Sequence, residues 1–155
     1  MIAEKSQQNR VSPVLKKKNK KTVLFLCTNN SARSQMAEGF LRAFYGTRYE
    51  AYSAGVEKTS VNPYAFEVMK EIGIDLSKHY SKNIDEFQGV NFDYVVTVCD
   101  YVKESCPFFP GKKVFHKSFQ DPTSFKGNIE ETLSFFRKIR NEIKDWIVLT
   151  FGEKS

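Results

Sequence analysis

The segment Cys27-Thr28-Asn29-Asn30-Ser31-Ala32-Arg33-Ser34 places five residues between a cysteine and an arginine, with a serine directly after the arginine. These residue types suit a sulfur nucleophile held beneath a tetrahedral oxyanion. A loop this short, curled round the start of a helix, turns its amide hydrogens toward one point, where they join the positive end of the helix dipole. Arg33 adds a planar fork matched to two oxygens of the anion, which the point charge of a lysine does not reproduce. The same fields favour thiolate over thiol at Cys27, and the Ser34 hydroxyl is a donor for the sulfur, so the nucleophile is expected to be ionised near neutral pH. The competing view, an inert buried cysteine at a strand end, loses ground because strand, loop and helix signals coincide with the motif.

Two further thiols follow. Cys99 ends the run Val95-Val96-Thr97-Val98, and Cys106 lies beyond six intervening residues, just before Pro107. Three cysteines without a secretory signal suggest thiols that do chemistry, since an odd number cannot all be paired. Two other readings of Cys99 and Cys106 stay open: unconnected thiols, or half of a zinc site with His79 and His116, for which the spacing is wide. Otherwise both histidines read as structural or surface residues. Asp121-Pro122, taken alone, reads as a turn initiator.

The elements that must position these groups alternate in type. Thr22 to Leu26 is a short apolar run that breaks into the polar cysteine loop, which predicts a buried strand. A helix should follow, capped by Ser31 or Ser34, with Met36, Phe40, Leu41 and Phe44 at helical spacing and Gly46 as its stop. Tyr49 to Ser53 predicts a second strand. Pro63 to Ile72 predicts a helix with proline in its first turn and Gly73 at its end. Asp93 to Val98 and Lys113 to His116 predict two more strands. Ile129, Leu133, Phe136, Ile139, Ile143 and Ile147 form one stripe of a closing helix. This is an α/β pattern, a four-stranded, mainly parallel sheet with helices on both faces, whose ligands bind beyond the carboxyl ends of the strands. Cys27 and Cys99 both fall at such ends, so two parallel neighbours would bring both sulfurs to one rim. Tyr101 and Phe108 flank the Cys99–Cys106 loop and are expected to pack it shut.

Charge and hydropathy bound the rest. The 155 residues carry a formal charge of +6. Seven of the 24 basic residues and one of the 18 acidic residues fall within residues 1–21, leaving 17 of each beyond. The folded part is therefore neutral, which argues against specific nucleic-acid binding. Residues 1–21 predict a basic, solvated tail, with weak contact to RNA or acidic lipid as the alternative, and residues 22–155 a single catalytic domain. No run approaches the length of a spanning helix, so a soluble, cytoplasmic protein is expected.

Cys27 to Gly39, CTNNSARSQMAEG, resembles the anion loop of the low-molecular-weight tyrosine phosphatases and their arsenate-reductase relatives. It is similar to the reductase branch, whose loops continue Arg-Ser-Gln-Met-Ala-Glu-Gly as Arg33 to Gly39 do; the phosphatases usually have Arg-Ser-Pro. The likeness runs from Thr22 to the last helix, through Tyr52 to Gly55 and Asn62-Pro63, and includes a strand ending in cysteine with a second cysteine just before proline. It implies a reduction of arsenate to arsenite in which Cys27 attacks bound arsenate, Cys99 closes a disulfide with Cys27, and Cys106 carries that disulfide outward for thioredoxin. It also implies Asp121 as general acid, Arg33 as the anion's clamp, and Thr28, Asn29, Asn30, Ser31, Ala32 and Ser34 as the rest of the oxyanion cradle. Phosphate or sulfate would be look-alikes of arsenate, and a monomer is expected. The alternatives are a tyrosine phosphatase needing only Cys27, Arg33 and Asp121, and a non-enzymatic oxyanion or RNA binder.

Two positions depart from the family pattern. Asn29 stands where glycine is usual, and asparagine is the next best residue for positive φ. Some reductases bind potassium beneath the loop through positions matching Asn30, Glu38, Ser53 and an aspartate. The last is Lys82 here, whose ammonium is expected to replace the metal by pairing with Glu38, so no potassium or other metal is expected.

Overall fold

The structure is a computed structural model that describes residues 19–100 and 103–152. Most of the tail expected over residues 1–21, and Tyr101, lie outside the described residues. The elements are β1 (Lys21–Leu26), α1 (Arg33–Tyr45), β2 (Tyr49–Ala54), α2 (Pro63–Lys70), β3 (Tyr94–Thr97), β4 (Lys113–His116) and α3 (Ile129–Phe151), with 3-10 turns at Ile84–Phe87 and Pro122–Ser124. The strands form one sheet in the order β2-β1-β3-β4, and every neighbouring pair is parallel. Among the described residues no helix is long and apolar enough to cross a membrane.

β1 is central because its sequence has no polar side after Thr22. Val23, Leu24, Phe25 and Leu26 are all fully buried, as expected of a parallel strand covered on both faces. Val23 and Phe25 share one core with α1, α2 and α3, whereas Leu24 and Leu26 face a second core built with Phe87, Phe92, Val95 and Phe109. The α-helices thus pack on one side, and the 3-10 turn at Ile84–Phe87 with loop aromatics covers the other. Each large apolar side chain buried this way contributes about 1.5–3 kcal/mol. Register is pinned at the lower edge, where Asp93 Oδ2 accepts from the Thr22 amide at 2.9 Å and the Thr22 hydroxyl accepts from the Asp93 amide at 3.1 Å.

The helices end and begin where local chemistry permits. Pro63 opens α2, with the Asn62 side chain accepting from the Tyr64 amide. Regular helix stops at Lys70, then Gly73 takes φ +84 and the Ile74 amide reaches back to Met69 O at 3.0 Å. That left-handed closure requires a residue without a Cβ penalty. α3 is opened by a reciprocal cap between Asn128 and Glu131, and its stripe buries Phe136, Ile139, Ile143, Ile147 and Phe151. Ile129 begins that stripe but is 65% exposed. Phe44 also lies outside it, 41% exposed and resting on Phe40.

The expected serine cap of α1 is not formed. Ala32 occupies the N-cap position without any side-chain cap, and the Ser34 hydroxyl is engaged with Asn30 and Cys27 instead. The first turn of α1 therefore keeps its amides for something outside the helix.

Candidate active site

Cys27 is the first residue after β1, and its amide donates to Ala54 O of β2. β3 runs beside β1 with Leu26 abreast of Thr97. The Val98 amide then donates to Leu26 O at 2.8 Å, and Cys99 follows. Both cysteines thus leave adjacent parallel strands at the same edge, both are buried, and both line the same core.

The loop between Cys27 and α1 is held from outside by its carbonyls. Thr28 O accepts from the Val56 and Glu57 amides, and Asn29 O from the Thr59 and Ser81 hydroxyls. Asn30 O accepts from Gln35 Nε2, and Ser31 O from the Asn62 amide. A planar trans peptide points its N–H opposite to its carbonyl, so the amides of residues 29–32 turn toward the interior of the loop. There they join the uncapped first turn of α1 in a concave set of donors. Gly55 lets this loop seat against β2: a Cβ on it would lie 2.6 Å from Thr28 O and 2.8 Å from both Asn30 N and Cys27 O.

The strained residue is Asn30 with φ +50; Asn29, in the position where glycine is usual, does not take positive φ. Asn30 is held there because its side chain is fully buried and used at both ends. Its Oδ1 accepts from the Lys82 amide at 2.8 Å and from Gln35 Nε2 at 3.0 Å, which turns Nδ2 toward Ser34 Oγ at 2.8 Å. With its oxygen already accepting, the Ser34 hydroxyl is free to donate to Cys27 Sγ at 2.9 Å.

Arg33, almost fully buried, projects over this loop. It donates through Nη2 to Glu104 Oε1 at 2.8 Å, through Nη1 to Glu104 Oε2, and through Nη1 to Phe119 O at 3.1 Å. Burial opposes its charge, but the hydrogen bond to Glu104 and the neighbouring negative groups raise its pKa above the usual value. Asp121 Oδ2 stands 3.8 Å from Arg33 Nη2, while its Oδ1 accepts from the amide and hydroxyl of Thr123. Asp121 therefore is a turn initiator, as its Asp-Pro sequence predicts, and also faces Arg33.

Glu104 has no local signal in the sequence beyond lying between two cysteines. Its carboxylate takes the Arg33 fork, the Thr28 hydroxyl at 2.8 Å and the Asp100 amide at 2.9 Å. Burial pushes this carboxyl up, but the Arg33 and Asp100 hydrogen bonds, the guanidinium charge and Thr28 outweigh it and hold it at about 2. The loop carrying it is closed by a Cys99–Cys106 disulfide with the Cα atoms 6.0 Å apart, and Cys27 is a free thiol. The sulfurs of Cys99 and Cys106 are bonded to each other rather than arranged with histidines. His79 is engaged with Gln35 and Arg42, and His116 with Thr97. Phe108 does not close the loop, being 76% exposed.

Beneath the loop one expectation is corrected. Glu38 accepts from the Ser53 hydroxyl and pairs with Arg42 Nη2 at 2.7 Å, not with the Lys82 ammonium. Arg42 sits one helical turn from Glu38, so the contact needs no loop to be ordered. Lys82 Nζ donates to Tyr80 O at 2.7 Å and lies over the Tyr80 ring. Lys82 still supports the loop, through its amide to Asn30 and its carbonyl to the Gly55 amide. At these positions Asn30 Oδ1 accepts two donors, and Glu38 is paired with a guanidinium.

The chain matches the family model described as low molecular weight phosphotyrosine protein phosphatase over residues 22–148, and it belongs to that family. Within it, the chain is 46% identical over 136 residues to the arsenate reductase of Halalkalibacterium halodurans, covering 87% of this chain and 97% of that protein. It is 44% identical over 124 residues to the arsenate reductase of Bacillus subtilis, covering 79% and 89%. A solved structure described as an arsenate reductase in the phosphate binding state superimposes with a TM-score of 0.74 at 29% identity, covering 87% of this chain and 99% of that one.

Proposed function

We propose that this protein is an arsenate reductase that passes two electrons through Cys27, Cys99 and Cys106. The observation that supports this reading most is the redox arrangement of the three sulfurs: Cys27 free beneath an anion cradle, with Cys99 and Cys106 joined beside it. A phosphatase has no use for such a pair, whereas reduction of arsenate needs a second thiol to complete a two-electron step.

Arsenate sits in the amides of residues 29–32 with Arg33 on two of its oxygens. The Cys27 sulfur attacks arsenic, and a hydroxyl group of the arsenate leaves as water after taking a proton from Asp121. The Cys99 thiolate then attacks the Cys27 sulfur. The sulfur–arsenic bond breaks with its electron pair staying on arsenic, which leaves as arsenite, and a Cys27–Cys99 disulfide remains. Cys106 attacks Cys99 and expels the Cys27 thiolate, giving the Cys99–Cys106 bond. Cys99 is fully buried and Cys106 only partly, so an external dithiol meets Cys106 first. We take that dithiol to be thioredoxin, which would leave with the disulfide and return two thiols. The cytoplasm, where such donors are kept reduced, is the fitting compartment.

Single-turnover chemistry tests the reading. Fully reduced protein mixed with arsenate should yield one arsenite per chain and a Cys99–Cys106 disulfide located by peptide mass mapping. Arsenite release without any disulfide would contradict it. Turnover should be insensitive to exchanging sodium for potassium, because Arg42 and Lys82 bring fixed positive charge to the site beneath the loop; strong activation by potassium would refute that part.

A further inference from the structure

The Glu104 carboxylate accepts four hydrogen bonds, and nothing in the proposed relay uses it. Its two oxygens receive both arms of Arg33, the Thr28 hydroxyl and the Asp100 amide. This is the pattern a bound oxyanion would present to the same fork: two oxygens side by side, negatively charged, in a planar bidentate pair. The end-on Nη1/Nη2 fork cannot hold both guests, since its other polar contacts go to Phe119 O and toward Asp121.

The position of Glu104 follows from the disulfide. Cys99 and Cys106 are seven residues apart, so their bond closes a small ring that contains Glu104 and is anchored to the end of β3. Within that ring the carboxylate is carried to Arg33 at little further entropic cost. Opening the ring restores freedom to the segment, and the ordering cost of placing Glu104 on Arg33 returns. A free oxyanion then competes against a flexible arm instead of a tethered one.

We propose that Glu104 is an internal substitute for the oxyanion, seated on Arg33 when Cys99 and Cys106 are joined and released when they are reduced, so that the oxidised protein excludes oxyanions. The site then admits its substrate only in the state that holds the electrons to reduce it. The inference rests on the Cys27 loop being an oxyanion site, and goes beyond it by making occupancy of that site depend on the state of two other cysteines.

Titration calorimetry with inorganic phosphate tests this on full-length protein, oxidised and reduced, wild type and Glu104→Gln. Wild type should bind phosphate at least about tenfold more tightly when reduced than when oxidised, from the loss of a charged bidentate competitor. In Glu104→Gln that redox difference should collapse to about twofold or less. Glu104→Asp, which keeps the charge on a shorter arm, should fall between. Equal phosphate affinity in oxidised and reduced wild type, or a redox difference that survives in Glu104→Gln, overturns the proposal. Failure of every form to bind phosphate overturns it together with the oxyanion reading of the loop. Alkylation of Cys27 by iodoacetate gives a second readout, since Cys27 is the one free cysteine of the oxidised chain. Oxidised Glu104→Gln should react faster than oxidised wild type, and equal rates would contradict the block.

Discussion

The Ser34 hydroxyl stands 2.9 Å from the Cys27 sulfur, with Asn30 Nδ2 donating to the same oxygen at 2.8 Å. The polarity of this chain is fixed at its far end, where Asn30 Oδ1 is taken by the Lys82 amide and Gln35. A proton is thereby aimed at the sulfur, and a nucleophile on a short loop is held in one place.

Removing that donor should slow chemistry more than binding. Ser34→Ala is expected to lower kcat for arsenate reduction by roughly ten- to hundredfold, the effect of losing a hydrogen bond to a charged acceptor, about 1.5–3 kcal/mol. KM should change little. Steady-state kinetics checks this, and an unchanged kcat would remove Ser34 from the mechanism.

The close approach of Gly55 to the loop gives a structural prediction. A methyl group there meets three backbone atoms at 2.6–2.8 Å, and backbone cannot swing aside as a side chain can. Gly55→Ala should destabilise the fold by about 1–3 kcal/mol and weaken phosphate binding by displacing the Thr28 and Asn30 peptides. Urea unfolding beside phosphate titration measures both, and a variant as stable as the parent would show that the loop is not seated as described.

His79 sets a pH dependence. Burial lowers its pKa below the usual 6.5, with the attraction of Glu38 only partly offsetting this. The folded protein therefore holds His79 neutral where the unfolded chain has begun to bind a proton. Its contribution to stability is complete above about pH 6.5 and is lost as pH falls from there to the folded pKa, with a slope of at most about 1.4 kcal/mol per pH unit. His79→Asn should flatten the stability curve between pH 6.5 and 5 relative to wild type. Parallel curves for the two proteins would contradict this.

The parts of the molecule that the sequence made legible are those with short-range causes. The apolar run of β1 broken by a polar loop, the proline and Gly73 bounding α2, and the isoleucine stripe of α3 each carry their own signal, and Cys27 with Arg33 follows from spacing. What was not legible depends on which of several available partners a polar side chain takes. Ser34 carries two readings in the sequence, helix cap and donor to Cys27, and the structure realises the second, with Asn30 Nδ2 on the same oxygen. Lys82 reads as the partner of Glu38 until Arg42 is found one turn away on the same helix. Glu104 acquires meaning only once the chain brings it 71 residues back onto Arg33. The 3-10 turns at Ile84–Phe87 and Pro122–Ser124 are too short for any periodicity to show.

The relay is tested most directly by following NADPH oxidation with arsenate, thioredoxin and thioredoxin reductase, using wild type, Cys99→Ser and Cys106→Ser. The account predicts sustained NADPH consumption by wild type, none above background by either variant, and slow hydrolysis of an aryl phosphate retained by all three. NADPH consumption undiminished in Cys99→Ser or Cys106→Ser, or absent in wild type while aryl-phosphate hydrolysis is brisk, would contradict it.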